Sequence, residues 1–465
     1  MPIKIYNSLT RKKEEFIPIK SPAVNIYTCG VTVYDESHVG HARSLFIFDL
    51  FRKHLIYRKF KVKFVRNITD IDDKIINRAH ELKAGWRDLV DKYIKSYHED
   101  LKALGIDRGD YEPRATENIP AMIRYIGALM QKGYAYQAGG DVYFNVRKFN
   151  NYGRLSGQSI DEMYKGVRIE LSGQKKDSLD FALWKGSKDG EPYWESPWGH
   201  GRPGWHIECS VMSQKFLKTD TLDIHAGGRD LIFPHHENEI AQAEAFTGKP
   251  FAKYWIHHGL LTMNGQKMSK SLGNFITIRD FIFKYKDPDL LKIFFLSAHY
   301  AHPMDYTDSK IEEARAAKER ILIFMDKAAA VKGKFCFFRK KFSELEELWL
   351  KFIESMDDDF NTPEALACIF ELVNLGNKNI ENIYFAQAAR AAILRMANLL
   401  GLKLRVPVSM QKISDEEAKL KIEKRNNARR TKDYALSDKI RKELEEKGII
   451  LEDLKDGTAI WRRRF

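Results

Sequence analysis

A chain of 465 residues with 44% hydrophobic content is too long for one hydrophobic core, so several domains are expected. No run approaches the roughly 20 apolar residues that cross a bilayer, and the opening MPIKIYNSLTRKKEEF carries no signal-type apolar stretch, which together exclude a membrane protein and give a cytoplasmic expectation. Four cysteines (Cys29, Cys209, Cys336, Cys368) are too few for a disulfide framework and leave metal binding or free thiols, while a net charge of +13 fits either a polyanionic partner or a solvated surface.

In chain order, Val24–Thr28 (VNIYT) predicts a buried strand, a polar glycine-containing turn follows, His41–Phe60 carry apolar residues at helical spacing, and Lys61–Asn67 predict a second strand. Strand, turn, helix and strand form a βαβ unit. Such a unit implies a parallel sheet with its ligand site at the strand carboxyl ends, here Cys29 to His41. Ile119–Lys132 predicts a helix, and Tyr134–Val146 a hairpin turning at Gly139 and Gly140. The irregular stretch to about His200 reads as an insertion splitting the sheet, because a strand-like WHIECSVM and a helix after Pro234 resume the α/β pattern. Ser309–Val331, Ser343–Met356 and Pro363–Asn379 predict a helical bundle, Val406–Ile413 a linker, and a small charged module begins near Asp415.

Two short strings carry phosphate chemistry. His38, Val39, Gly40 and His41 stand where the turn enters the helix, so the glycine permits close approach while both imidazoles and the helix N-terminus face a nucleotide. Alone, an HxGH tetrapeptide also fits two histidines in a helix cap. Downstream, Lys267, Met268, Ser269, Lys270 and Ser271 (KMSKS), followed by Gly273, make a polar loop with two cations able to meet phosphates. The pairing resembles the class I aminoacyl-tRNA synthetases, whose HIGH-type and KMSKS motifs bind ATP on a split Rossmann domain; Val39 in place of isoleucine is a conservative departure.

Cys29, Cys209 and the pair His235 and Glu239 supply ligand types suited to zinc. On a helix starting at Pro234, the i to i+4 spacing puts His235 and Glu239 on one face, with His236 and Glu237 pointing elsewhere. A surface salt-linked pair is the plainer reading of His235 and Glu239 without the cysteines. The resemblance narrows here to the cysteinyl-tRNA synthetases, which have a cysteine before the HIGH motif, GRPGWHIECS (Gly201–Ser210) and FPHHENE (Phe233–Glu239). NITDIDDKI (Asn67–Ile75), DFALWK (Asp180–Lys185), ESPWG (Glu195–Gly199) and MDDDFNTPEAL (Met356–Leu366) extend the match across the chain. It weakens at Lys332–Lys341, at Ala301 and His302, and in the Gly401–Glu417 linker.

The resemblance implies an α/β fold: a split Rossmann-type parallel sheet with an insertion, then an α-helical bundle and a small C-terminal module. Its expected boundaries are 1–118 for the first half of the catalytic domain, 119–200 for the connective insertion, 201–256 for the second half, 257–305 for the KMSKS and stem-contact region, 306–405 for the bundle and 406–465 for an anticodon-binding module. It implies cysteine–tRNA ligation, with L-cysteine, ATP and cysteine tRNA as partners, one Zn2+ per chain on Cys29, Cys209, His235 and Glu239, Mg2+ arriving with ATP, and a monomer. His38, Gly40, His41, Lys267 and Lys270 would bind ATP or stabilise the transition state, and Cys29, Thr69 and Trp205 would line the cysteine pocket. A helix-capping threonine and a buried core tryptophan are the structural alternatives for Thr69 and Trp205. Cys336 and Cys368 are expected to be free thiols. Between Lys421 and Lys442, nine Lys or Arg face three acidic residues; with Trp461 and Arg462, this makes Arg425, Arg429 and Arg430 the expected tRNA contacts, against a solvated amphipathic helix. The competing functions are a cysteine ligase of thiol-cofactor biosynthesis, which has no need of the basic C-terminal module, and a catalytically silent RNA-binding paralogue, which intact motifs oppose.

Overall fold

The computed structural model describes residues 2–160, 162–163, 175–268, 274–331, 342–405, 414–431, 433–453 and 459–463. They divide into one unit of Met1–Asp280, Ala298–Tyr306 and Ile353–Pro363, and a second of Phe281–Ser297, Thr307–Phe352 and Glu364–Phe465.

In the first unit, β1 (Lys4–Asn7) and β2 (Lys12–Glu15) form an antiparallel hairpin. The predicted βαβ follows as β3 (Ala23–Thr32), α1 (Val39–Tyr57) and β4 (Lys61–Thr69), with β3 and β4 parallel. α2 (Asp73–Leu82), α3 (Trp86–Leu104) and α4 (Ile119–Gln131) lead to the hairpin of β5 (Ala135–Ala138) and β6 (Asp141–Phe144), which β7 (Phe181–Gly186) and β8 (Gly201–Pro203) extend to a four-stranded antiparallel sheet. In the chain this sheet lies between the two halves of the parallel sheet, its last strand just past the expected boundary at residue 200. The stretch WHIECSVM, expected as a strand, is instead the start of α5 (Trp205–Leu217). Ile207 to Ser213 are all buried, so no exposed face remains to reveal a helical period.

β9 (Leu222–Gly228), α6 (Glu237–Thr247) and β10 (Ala252–His258) complete the second half, giving a parallel sheet in the order β10-β9-β3-β4. From the adjacent β3 and β9 the chain departs towards opposite edges, to β4 and to β10. The carboxyl ends of β3 and β9 therefore flank a topological switch point, where such sheets open a crevice. Cys29 lies at that point, inside a register break between Thr28 and Val31 that releases Cys29 and Gly30 from the ladder with β4. β11 (Leu261–Met263) pairs antiparallel with β12 (Gln266–Lys267) and parallel with β13 (Met304–Tyr306).

α7 (Ile278–Tyr285) precedes α8 (Pro288–Leu296). The second unit's bundle uses α9 (Asp308–Ala330), α10 (Ser343–Asp357), α11 (Thr362–Lys378) and α12 (Ile383–Leu399), the first three close to their predicted spans. The expected linker Val406–Ile413 and Cys336 lie outside the described residues. α13 (Asp415–Arg430), α14 (Tyr434–Glu446), β14 (Ile449–Asp453) and β15 (Ala459–Arg463) form the terminal module around Ala418, Ile422, Ile440, Leu444, Ile449 and Leu451.

Gly30 makes the register break possible. A Cβ there would sit 1.5 Å from the Asn67 carbonyl oxygen, while the Gly30 amide donates to Asn67 Oδ1 at 2.8 Å. Gly30→Ala should push β3 from β4 and cost at least about 2 kcal/mol, visible as a lower denaturant midpoint for the loss of sheet structure.

Candidate active site

Four side chains from three segments converge at the switch point. Cys29 comes from β3, Cys209 from the first turns of α5, and His235 and Glu239 from the chain entering α6. Cys29 Sγ lies 3.7 Å from Cys209 Sγ and 3.5 Å from Glu239 Oε1, and Cys209 Sγ lies 3.7 Å from His235 Nε2. Zinc–sulfur bonds of about 2.3 Å at tetrahedral angles place two thiolates roughly 3.7 Å apart, and a thiolate about 3.5 Å from an oxygen or nitrogen ligand. These three contacts therefore suit zinc as they stand; another, His235 Nε2 to Glu239 Oε1 at 2.7 Å, is a hydrogen bond that a metal would widen.

The i to i+4 relation of His235 and Glu239 holds, but His236 does not point away as expected. Residues 232–236 form a π-turn with a non-helical Phe233, so consecutive histidines both turn inwards. His236 Nε2 approaches Cys29 Sγ at 3.3 Å. Glu237 does point elsewhere, accepting the amides of Gly153, Leu155 and Ser156.

The sequence reading missed a shell of imidazoles. His225 of β9 meets Glu239 Oε2 at 2.5 Å, leaving Oε1 towards the thiols. His206 Nδ1 meets His235 Nδ1 at 2.8 Å, which fixes Nε2 as the nitrogen facing the tetrad. His257 Nε2 holds His236 Nδ1 at 2.8 Å, and its Nδ1 reaches Ser8 Oγ, also at 2.8 Å. Their signal in the sequence is their recurrence in β9, in β10 and beside the expected ligands. Cys29, His225, His236 and Glu239 make a second group within ligand distance of one another. His225 holds Oε2, whereas the thiol of Cys29 and the imidazole of His235 meet Oε1, so His225 better serves to orient the carboxylate.

Burial and mutual charge set the protonation here. Burial opposes ionisation of Glu239, yet His225 and His235 hold its carboxyl well below the usual range. His235 likewise overcomes burial, and Glu239 and Cys209 raise it to about 10. Burial and Cys209 push the Cys29 thiol up, whereas Cys209, against its own burial, is drawn down to about 7 by Cys29 and His235. One thiol gives up its proton readily; a metal would remove both.

Trp205 is 38% exposed and its ring stacks on His235 at 3.9 Å, so it covers the tetrad and is not a core residue. Thr69, at the end of β4, donates to Glu208 Oε2 at 2.7 Å. Burial pushes the Glu208 carboxyl well above its ordinary range.

The nucleotide motif sits beside this pocket. His38 is the N-cap of α1: its Nδ1 accepts the amides of Gly40 at 3.0 Å and His41 at 3.3 Å, and the His38 amide donates to His41 Nδ1 at 3.2 Å. This reciprocal capping box, made from imidazoles, stacks the rings 3.7 Å apart. Both Nδ1 atoms accept, so both protons stand on Nε2. Burial, with His38 and Lys74, depresses His41 well below the ordinary histidine range, leaving it a neutral donor. A Cβ on Gly40 would press on the His38 ring at 2.8 Å and on Met268 at 3.0 Å, so glycine lets the KMSKS methionine pack against the HVGH turn. Lys267 ends β12, its side chain outside the described residues, as are Ser269 to Gly273 and hence Lys270.

In the terminal module one expected contact is corrected. Arg425 is buried at 2% exposure because its side of α13 packs inwards; Trp461 is half-buried against the module's core. Arg429 is half-buried and Arg430 exposed; the Arg462 side chain lies outside the described residues.

Residues 15–316 match the family of tRNA synthetases class I (C) catalytic domains, and residues 351–405 match the DALR domain. The fold is shared with a Mycobacterium tuberculosis methionyl-tRNA synthetase in complex with methionyl-adenylate, at TM-score 0.60 and 15% identity over 85% of this chain and 95% of that one. An Agrobacterium radiobacter leucyl-tRNA synthetase in a ternary complex matches at TM-score 0.61 and 10% identity, over 84% and 85%. The architecture and its paired motifs are those of a class I aminoacyl-tRNA synthetase. At full length, the chain is 48% identical to the cysteine–tRNA ligase of Anoxybacillus flavithermus, covering 100% of both, and 46% identical to that of Aquifex aeolicus, covering 100% and 99%. It belongs to the cysteine–tRNA ligase family.

The two overlapping ligand groups give different results on substitution. Cys209→Ser and His235→Ala should reduce bound zinc far below one per chain, while His236→Ala should keep most of it. Elemental analysis of the purified variants distinguishes them, and the reverse pattern would favour the group containing His225 and His236.

Proposed function

We propose that the chain activates L-cysteine with ATP to cysteinyl adenylate and transfers it to the 3′ end of cysteine tRNA. The observation that carries this reading is the placement of a thiol-rich ligand tetrad and an imidazole-capped helix N-terminus at one set of strand ends, in a chain of the cysteine–tRNA ligase family. Zinc held by Cys29, Cys209, His235 and Glu239 would supply a thiolate-selective bond that serine cannot copy, where shape alone discriminates by only about 1 to 3 kcal/mol.

The remaining work falls to the chain's own groups. Trp205, stacked on His235, closes the amino-acid pocket against water, and Thr69, fixed by Glu208, lines its wall. His38 and His41 donate from Nε2 to the ATP phosphates at the amino end of α1, where the helix dipole also favours anions. Because His41 is neutral, the pair binds phosphate through directed hydrogen bonds, and the cationic share falls to Lys267 and Lys270, which stabilise charge passing to pyrophosphate. Mg2+ enters with ATP. Attack of a terminal ribose hydroxyl on the adenylate carbonyl then needs chiefly proximity. Arg429 and Arg430 contribute to the surface that meets tRNA phosphates, and the enzyme works as a cytoplasmic monomer.

Cysteine-dependent exchange of pyrophosphate into ATP, followed by charging of tRNA in the same preparation, tests the reading; exchange without charging would revive the small-molecule ligase. Lys270→Ala should slow exchange on the order of 10² or more with little change in the Michaelis constant for ATP. A defect confined to that constant would move the role to another cation.

The terminal module has a core of its own, which makes it separable. Removing residues 406–465 should leave cysteine-dependent exchange in place and sharply reduce tRNA charging. Equal loss of both activities would give the module a supporting role only.

A further inference from the structure

Arg43, two residues beyond the HVGH turn, is fully buried in α1 at 0% exposure. Its Nη1 donates to the carbonyls of Gly259 at 2.7 Å and Leu260 at 2.9 Å, and its Nη2 to those of Tyr300 at 3.2 Å and His302 at 2.5 Å. Among the described residues no carboxylate pairs with it, and its Nε has no partner. Burial brings it down to about 10, still a cation at neutral pH. A buried charge answered only by carbonyl dipoles is costly, and an apolar side chain of similar volume would serve packing as well or better.

The four carbonyls share one location. Gly259 and Leu260 join β10 to β11, the first strand of the hairpin that runs into the KMSKS segment, and Tyr300 and His302 lie just before β13, which pairs with β11. A Cβ on Gly259 would sit 2.2 Å from the His302 carbonyl oxygen, so the two backbone segments are pressed together where the guanidinium grips them. All the acceptors are backbone atoms. The grip is therefore indifferent to the side chains of Ala301 and His302, where the chain departs from its family's usual residues. On the far side of the loop, the Ile276 carbonyl accepts the Val39 amide at 3.1 Å and the Ser37 carbonyl accepts the Ile278 amide at 2.9 Å. Both stalks of the KMSKS segment are thus tied to the start of α1, the exit by backbone pairing and the entry by Arg43.

We propose that Arg43 is a positioning residue for adenylate formation: through four carbonyls it locks the entry stalk of the KMSKS hairpin onto the helix that presents His38 and His41, so that both signature motifs meet the same phosphates. The inference rests on the proposed activity. It touches no substrate, and it acts by fixing a distance on which alignment depends.

Arg43→Lys and Arg43→Gln, compared with the unaltered enzyme in cysteine-dependent pyrophosphate exchange, test it. The turnover of Arg43→Gln should fall about 100-fold, since misplacement on the order of 1 Å costs that much. Arg43→Lys, which keeps the charge and some donors, should recover part of the loss. Zinc content and the Michaelis constant for cysteine, which report the tetrad and its pocket, should stay within about twofold in both. Unchanged turnover in Arg43→Gln would overturn the inference, as would parallel loss of zinc and turnover in both variants, which would assign Arg43 to the fold alone. Absence of exchange in the unaltered enzyme would remove the activity itself, and the positioning role with it.

Discussion

Charge compensation in a dry volume governs the centre of this structure. Two thiols, a carboxylate and several imidazoles are gathered at the carboxyl ends of β3 and β9, with Cys209, His235 and Glu239 essentially inaccessible to water. Anionic ligands buried this way are tolerable only when opposed by positive charge. In the protein alone, His235 takes that part, shared between Glu239 and Cys209. A divalent cation would take it more completely, and His206 and His225 already orient His235 and Glu239 for it.

That constraint explains why the sheet departs from regularity where it does. A continuous ladder from Thr28 to Val31 would keep Cys29 in register with β4; the break at Cys29 and Gly30 turns the thiol into the crevice instead. The π-turn ahead of α6 does the same for two consecutive histidines. Cys29 and His235 sit on irregularities of the frame, and Cys209 and Glu239 reach them from the regular helices α5 and α6. The HVGH turn follows the same logic, since its two imidazoles spend their Nδ1 lone pairs on the helix cap and so commit their protons to the outer face.

Much of this was legible in the sequence. β3 and β4 were readable as short apolar runs and α1 as a longer one between them, the β5–β6 hairpin by its glycine turn, and three bundle helices by their apolar spacing. The tetrad was readable because its ligand types and one helical spacing are chemically restrictive. WHIECSVM was misread since a helix covered on every side has the composition of a strand. His236 was misassigned because a π-turn alters the angle between neighbours, a property of backbone geometry that no residue pattern announces. The carbonyl partners of Arg43 were invisible for a similar reason: backbone acceptors leave no trace in side-chain identity. Counting basic residues overstated the C-terminal surface, because Arg425 belongs to the interior.

Among the described residues, the terminal module draws its core from six buried apolar residues with Trp461 against them. Units of this size bury too small a fraction of their surface to be robust. Local stability need not match that of the sheet, and the segment with the smallest core is the first to open on warming. If the module meets tRNA as proposed, tRNA charging would be lost at a lower temperature than adenylate formation.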